Sequence, residues 1–149
     1  MLFRSVQLKN VEVKEVNYSS SCIAFSKGKG NFDIRPFPVT VQLSSVKTVA
    51  FTDVNNDGYA DILLGGNEFN FQPQLGRLDA SLGNVLLNDG KGNFKLQDEG
   101  ESGLGLTGMV RDIAVIKGKS STSLLFLRNS DFSVLFKMKK KDSDNKKEN

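Results

Sequence analysis

The sequence predicts an all-β fold, and three observations lead to this prediction. Short apolar runs of about four to eight residues recur along the 149-residue chain, bounded by Gly, Asn, Asp and Ser. None of these runs places apolar residues at the 3.6-residue spacing of a helix over a helical length. The five-residue sequence Gly-Lys-Gly-Asn-Phe occurs twice, each time between two such runs.

Nine strands are expected along the chain. Some of them are apolar at consecutive positions, as in Ile62-Leu63-Leu64. A strand with one face in water alternates apolar and polar residues, so consecutive apolar residues predict sheets that are covered on both faces. The predicted strands are Ser21–Ser26, Phe32–Arg35, Val46–Thr52, Asp61–Leu64, Asn84–Leu87, Asn93–Leu96, Met109–Ile116, Ser123–Leu127 and Phe132–Phe136.

An internal repeat organises these strands. Gly28–Phe32 recurs 62 residues later as Gly90–Phe94, and Ile62–Asn67 resembles Leu124–Asn129 at the same distance. Each Gly-Lys-Gly-Asn-Phe is expected to form a tight hairpin turn, because Gly adopts positive φ and Asn tolerates it. A phosphate-binding loop would need a helix after the glycines, and a strand is predicted there in both copies. A unit of about 60 residues with four strands fits one blade of a β-propeller.

The predicted fold is therefore an incomplete β-propeller of about two to three four-stranded antiparallel blades. Ser21–Arg35 would form the outer half of one blade, Val46–Leu96 a complete blade, and Met109–Phe136 three strands of another. A propeller needs about four blades or more to close its ring. We therefore expect the sequence to be part of a longer protein or a truncated reading frame. The expected division is a flanking segment at 1–20, propeller blades at 21–137 and a disordered Lys-rich tail at 138–149.

The charge distribution argues against a nucleic-acid partner. The formal net charge is +3, and residues 137–149 account for all of it, with six lysines against three acidic residues. A neutral body with such an end predicts a solvated tail. The alternative is that the tail contacts nucleic acid or anionic lipid, but it has no aromatic residue and no Arg. No apolar run reaches the length of a membrane span.

The composition also removes most catalytic arrangements. The chain has no His, which excludes Ser-His and Cys-His nucleophile pairs and the commonest general base. Its single cysteine, Cys22, cannot form an internal disulfide. The sequence offers no acid/base pair outside the loop described next, so we expect no enzymatic activity from this chain.

The strongest chemical signal is the stretch Asp53–Asp61. Oxygen-bearing side chains stand at its first, third, fifth and ninth positions, and Gly58 stands at the sixth. This spacing is that of the opening of a calcium loop, in which alternate side chains point inward and Gly permits a sharp turn. The turn would let the carbonyl of Tyr59 face the ion, and Ca²⁺ needs six to eight such hard oxygens. The side-chain ligands would be Asp53, Asn55, Asp57 and Asp61.

Three other loop types share part of this pattern. An Asx-rich turn without a metal would suit the same Asn and Asp residues. An EF-hand would need Glu at the twelfth position, where Leu64 stands, and helices on both sides. A dockerin-type loop would lead into a helix, for which Ile62–Gly66 is a poor start. A loop between two adjacent strands remains. The second repeat has no such loop, because apolar residues follow Asp112.

These residues resemble the FG-GAP/VCBS repeats known from integrin α-subunit propellers. The stretch Leu64–Asp98 is similar in particular to the C-terminal propeller region of bacterial VCBS-repeat proteins with an ASPIC/UnbV domain, and the resemblance covers roughly Ser21–Lys137. It implies a propeller of seven or a similar number of blades, stiffened by calcium loops. Carried over by position, it implies a calcium site formed by Asp53, Asn55, Asp57, Asp61 and the carbonyl of Tyr59.

The resemblance implies an extracellular, cell-surface or periplasmic protein whose export signal is not on this chain. The expected function is that of a calcium-dependent binding or scaffold module with a protein or glycan ligand. The alternative is an accessory propeller portion of a larger polysaccharide-acting enzyme. The long segment Asn67–Gly83 is expected to cap a blade, with an ion pair between Arg77 and Asp79, or else to contact a ligand.

Overall fold

The computed structural model describes residues 12, 14–70, 74 and 76–138. Within this part of the chain nine strands form three antiparallel sheets, which confirms the all-β class. Most of the predicted flanking segment at 1–20 and of the predicted tail at 138–149 lies outside the described residues. The sheets are numbered 1 to 3 in chain order below.

Sheet 1 is a hairpin of β1 (Cys22–Gly28) and β2 (Asn31–Pro36). Its turn lies at the first Gly-Lys-Gly-Asn-Phe, as predicted. The residue other than Gly that adopts positive φ is Lys29, at 54°, whereas the sequence pointed to Asn. Asn31 already pairs with Gly28 across the hairpin, so its backbone is extended.

Sheet 2 has four strands in the spatial order β3-β4-β5-β6. These strands are β3 (Val46–Thr52), β4 (Asp61–Gly66), β5 (Asn84–Asn88) and β6 (Phe94–Leu96). The single sheet predicted for this stretch is confirmed. All six residues of β4 are buried, which agrees with the consecutive apolar residues of its sequence.

Sheet 3 has three strands in the order β7-β8-β9. They are β7 (Met109–Lys117), β8 (Thr122–Asn129) and β9 (Val134–Lys137). The pairing of β7 with β8 shifts register at a bulge between Val110 and Asp112. The three strands predicted for Met109–Phe136 are thus confirmed as one sheet, although the last begins two residues later than expected.

In the described connections, two short helices are found. A 3-10 helix at Val39–Leu43 follows Pro38 and buries Val41 beneath sheet 2. The helix α1 (Glu99–Ser102) follows β6 and ends at Gly103, whose φ of 66° provides the left-handed C-terminal cap.

Sheet 2 lies between the other two sheets, and its strands send alternate side chains to opposite sides. Leu63 of β4 packs with residues of sheet 3, whereas its neighbours Ile62 and Leu64 pack on the side of sheet 1. Full burial of such a side chain stabilises the fold by about 1.5–3 kcal/mol. The core between sheets 2 and 3 consists of Ala50, Leu63, Val85, Leu104, Leu106, Val110, Ile113, Leu124 and Phe126.

The prediction that sheets are covered on both faces is confirmed for sheet 2, whereas the described residues cover only one face of sheet 3. In β8, Leu124 and Phe126 are buried, but Leu127 keeps 38% of its surface exposed. Nothing in the described part of the chain covers the outer face of sheet 3. The three sheets do not close into a ring, so a propeller stays a prediction.

Candidate metal centre

The loop that carries the predicted ligands joins two antiparallel neighbours, β3 and β4. Thr52 pairs with Asp61 across the sheet, so the loop begins and ends at adjacent positions. Positive φ values at Asn56 (59°) and Gly58 (93°) turn the chain back on itself. The loop leads from strand to strand, which excludes the EF-hand and dockerin alternatives, since both require a helix.

Asp53 is the first residue of the loop, and its side chain accepts hydrogen bonds from the backbone of residues 57 and 58. Its Oδ1 accepts the amide N–H of Asp57 over 3.1 Å, and its Oδ2 accepts that of Gly58 over 2.8 Å. The Asp53 carboxylate is thereby held at the centre of the turn, facing the fifth and sixth residues of the predicted calcium loop.

The middle of the loop is a run of Asx turns. Asn55 Oδ1 accepts the Asp57 amide N–H (3.0 Å), and Asn55 Nδ2 donates to Asp57 Oδ2 (2.8 Å). Asp57 Oδ1 accepts the Tyr59 amide N–H (2.8 Å). This is the network of the metal-free alternative, but a carboxylate or amide oxygen that accepts one such bond keeps a second lone pair. The oxygens therefore remain available as ligands of a cation.

Asp61 closes the loop from a fully buried position, with 0% of its surface exposed. Its Oδ2 accepts the amide N–H of Val54 and its Oδ1 that of Asn88, both over 2.8 Å. The Asn88 side chain in turn donates to the carbonyl of Ala60 over 3.0 Å. A buried carboxylate requires such partners, and these tie the start of the loop to the end of β5.

The Tyr59 ring links the loop to the neighbouring turn of β5 and β6. It lies directly against Gly90, so that a Cβ added at Gly90 would overlap the ring. Gly90 also has a positive φ of 73°. Both properties require glycine at this position of the second Gly-Lys-Gly-Asn-Phe.

No basic side chain of the described residues forms an ion pair with a carboxylate of the loop. The ion pairs of the described residues lie elsewhere and none involves Asp53, Asp57 or Asp61. Within the described ranges, no three His, Cys, Asp or Glu side chains form a group that could hold a metal ion. A cation in this loop would therefore depend on the Asn55 amide oxygen and the Tyr59 carbonyl as well as on carboxylates.

The structure thus gathers Asp53, Asn55 and Asp57 in one turn and places Asp61 at its exit. Sequence reasoning assigned no role to Asn88, although it belongs to a stretch that contributed to the family resemblance, and it predicted for Gly90 the hairpin turn but not the contact with Tyr59. Asn88 lies 27 residues from its partner Asp61 in the sequence. A local sequence pattern does not predict a contact over that distance.

The second repeat has no comparable loop, as the sequence predicted. Asp112 lies within β7, where its Oδ1 accepts the amide N–H of Ile113. The turn that follows β7 carries Lys119, Ser120 and Ser121 and no carboxylate.

The long segment after β4 is organised around Asn67, a buried residue with a φ of 79°. Its Oδ1 accepts hydrogen bonds from the Ser44 hydroxyl and the Ser81 amide, and its Nδ2 donates to the carbonyls of Ser81 and Gly108. Sequence analysis gave Asn67 no role, because an isolated Asn carries no signal of its burial. These bonds tie the start of the segment to Ser81 near its end and to Gly108 just before β7.

The ion pair predicted between Arg77 and Asp79 is wrong. The Arg77 guanidinium lies over the Phe69 ring, 5.1 Å from its centroid, and forms a cation–π contact. Glu68 forms the ion pairs in this region, with Lys47 at 2.9 Å and Arg111 at 3.7 Å. The Lys47 hydrogen bond, then the Asn70 amide N–H, hold the pKa of Glu68 below its ordinary value.

A cavity of about 490 Å³ lies between sheets 2 and 3, beside α1. Val85, Leu87 and Phe136 supply apolar walls, and Gln97 and Lys137 supply polar ones. The Oε1 atom of Gln97 is buried without a hydrogen-bond partner among the described residues. Val54 and Asn55 of the 53–61 loop also line this cavity.

Comparisons with known proteins give no relative. No protein-family model matches the chain, and neither a curated protein nor a solved structure matches it. None of the helices in the described part of the chain has the length and apolar character needed to cross a bilayer.

Proposed function

We propose that this chain is a calcium-binding β-propeller segment of the FG-GAP/VCBS type that acts as an extracellular binding or scaffold module. The observation that carries the proposal is the strand-to-strand loop between β3 and β4. It gathers the oxygens of Asp53, Asn55 and Asp57 in one hydrogen-bonded turn and ends on the buried carboxylate of Asp61.

Calcium would be held by five groups of this loop. Hard oxygens from carboxylates, amides and carbonyls are its preferred ligands, and water completes the six to eight positions of its shell. The proposed groups are the side chains of Asp53, Asn55, Asp57 and Asp61 and the carbonyl of Tyr59.

The proposed role of the ion is structural. Bound calcium supplies positive charge that offsets the repulsion between neighbouring carboxylates. Asp61 already connects the loop to β5 through Asn88, so a loop stiffened by calcium would hold three strand ends of sheet 2 together. The position of sheet 2 between two other sheets supports its assignment as a blade.

A thermal melt with calcium, with magnesium and with a chelator tests the proposal. Calcium that binds only the folded state raises the free energy of unfolding by about 2.7 kcal/mol at about 100 times its dissociation constant. We expect calcium to raise the Tm of the wild type. In Asp57→Ala, the Tm should be the same with calcium and with chelator.

Asp89→Ala is the matched control. Asp89 is an exposed carboxylate that accepts the amide N–H groups of Lys91 and Asn93 in the next turn, so its loss also removes Asx hydrogen bonds. This variant should keep the full calcium-dependent rise in Tm. A wild-type Tm that is the same with calcium and with chelator would contradict the proposal.

A further inference from the structure

Sheet 3 exposes an apolar row on the side away from sheet 2, which we call the rear face of sheet 3. Ala114 pairs with Leu125, and Leu125 pairs with Leu135, so these three side chains cross the sheet on one face. Leu135 keeps 60% of its surface exposed. The flanking residues Ile116 and Leu127 are also exposed and belong to the same face. Nothing in the described part of the chain covers this row.

Sheet 1 exposes a second apolar patch on the side away from sheet 2, its front face. Ala24 pairs with Ile34, and Ser26 pairs with Phe32. Ile34 is 52% exposed and Phe32 is 57% exposed. The opposite face of sheet 1 carries Phe25, which packs against Phe94 of sheet 2.

The rear face of sheet 3 is similar in sequence to the rear face of sheet 2, which is buried inside the molecule. On the rear of sheet 2, Ala50 pairs with Leu63 and Leu63 pairs with Val85. This Ala-Leu-Val row is buried against sheet 3. The Ala-Leu-Leu row of sheet 3 occupies the same three strand positions in its own sheet, and it has no partner sheet.

The front face of sheet 1 likewise repeats a covered face. On the front of sheet 2, Asn88 pairs with Phe94 and Leu86 pairs with Leu96, and Phe94 and Leu96 pack in the core shared with sheet 1. Phe32 and Ile34 hold the corresponding positions after the first Gly-Lys-Gly-Asn-Phe, and they are exposed.

From these correspondences we propose that the rear face of sheet 3 in one copy of this chain binds the front face of sheet 1 in a second copy. The contact continues the order found inside the chain, where the rear of each sheet packs on the front of the next. The described part of the chain presents one spare face of each kind, so the association is head-to-tail and closes into a ring when the rotations sum to a full turn. The row Ala114-Leu125-Leu135 is apolar, and the charged residues Asp112 and Lys137 lie at the two ends of this face, where Asp112 pairs with Leu127 and Lys137 pairs with Ser123.

A complementation experiment with the full chain tests the head-to-tail contact. Sedimentation velocity over a dilution series would be measured for the wild type, for Leu135→Asp on the rear face and for Ile34→Asp on the front face. Both residues are exposed, so neither substitution should disturb the fold, and far-UV circular dichroism checks this. We expect oligomers for the wild type and loss of the oligomer in each variant alone.

Mixing the two variants gives the decisive result. The Leu135→Asp chain keeps an intact front face and the Ile34→Asp chain an intact rear face, so a head-to-tail contact predicts a dimer of twice the protomer mass and nothing larger. Val39→Asp, which changes an apolar residue that is 75% exposed and on neither face, should leave the oligomer intact.

Three outcomes would overturn the proposal. A wild type that stays monomeric at every concentration would show that these faces do not bind a second copy of this chain. An oligomer that is lost in Leu135→Asp but kept in Ile34→Asp would indicate two-fold pairing of rear faces. A mixture of the two variants that contains only monomers would exclude head-to-tail binding.

Discussion

The amide N–H of Asn88 donates a hydrogen bond of 2.8 Å to Oδ1 of Asp61, whose other carboxylate oxygen accepts the amide of Val54. The Asp61 carboxylate is fully buried. One side chain therefore connects the beginning of the 53–61 loop, the first residue of β4 and the last residue of β5. This connection ties the loop that carries the proposed calcium ligands to the end of β5.

Asp61→Asn tests that connection. The amide has nearly the shape of the carboxylate, but its NH₂ group would face a backbone donor, and a buried donor without an acceptor costs about 1–3 kcal/mol. We expect urea denaturation to show a loss of that size in the free energy of unfolding. Asp89→Asn, in an exposed turn, should cost less. Equal losses in the two variants would show that the burial of Asp61 does not increase the cost of removing its carboxylate.

Gly90→Ala should destabilise the fold more than Gly28→Ala. Both glycines have positive φ, at 73° and 79°, so alanine carries a similar backbone penalty of about 1–2 kcal/mol at each. Only at Gly90 would the added Cβ overlap the Tyr59 ring, whereas the space beside Gly28 is open. Thermal melts of both variants would measure the difference. Adding Tyr59→Ala should recover part of the Gly90→Ala loss, and no recovery would contradict the contact.

Phe126→Ala should remove about 3–5 kcal/mol from the free energy of unfolding, the usual cost of deleting a buried phenylalanine. Phe126 is completely buried in the core between sheets 2 and 3 and meets Phe136 edge to face, with ring centroids 5.6 Å apart. Phe132→Ala is the control, since Phe132 is 88% exposed and its loss should change stability by less than about 0.5 kcal/mol. Chemical denaturation of both variants gives the comparison.

Acid sensitivity should depend on Glu68. Its pKa lies below the ordinary value of 4.5, first because Lys47 donates a hydrogen bond to it, then because of the Asn70 amide and the charges of Lys47 and Arg111. A carboxyl whose pKa is lowered by folding contributes stability that is fully present above the unfolded pKa. That contribution is lost as the pH falls through the folded pKa.

Glu68→Gln should therefore flatten the fall in Tm below pH 4.5 and lower the Tm at neutral pH. Melts across a pH series for the wild type, Glu68→Gln and Glu99→Gln would check this. Glu99 is exposed in α1 and belongs to none of the described ion pairs. An acid limb that is unchanged in Glu68→Gln, or flattened equally in Glu99→Gln, would rule out this account.

The strands could be predicted from the sequence because their signals are local. Runs such as Ile62–Leu64 are short, apolar and followed by glycine, so a strand is the only element that fits them. The second Gly-Lys-Gly-Asn-Phe likewise marks the turn between β5 and β6 without reference to the rest of the chain. The gathering of Asp53, Asn55 and Asp57 in one turn could be predicted for the same reason, since their spacing alone brings them together.

Contacts between distant segments could not be predicted in this way. The Arg77 guanidinium pairs with the Phe69 ring instead of Asp79, because side-chain directions in a long loop depend on how its ends are held. Asn67 holds those ends through Ser44, Ser81 and Gly108, and each of these contacts spans 14 or more residues. Gly28 pairs with Asn31 across the hairpin, so Lys29 and Gly30 form the turn between them. Lys29 therefore adopts positive φ.

The sequence by itself determined the all-β class, the nine strands and the oxygen-rich turn, because hydrophobic periodicity and turn chemistry act over a few neighbouring residues. Only the tertiary structure decided which faces are covered. Leu63 and Leu125 stand at matching places in similar strands, yet Leu63 is fully buried by sheet 3 and Leu125 only partly buried. Burial depends on the presence of a neighbouring sheet, and a strand's own residues do not encode that presence.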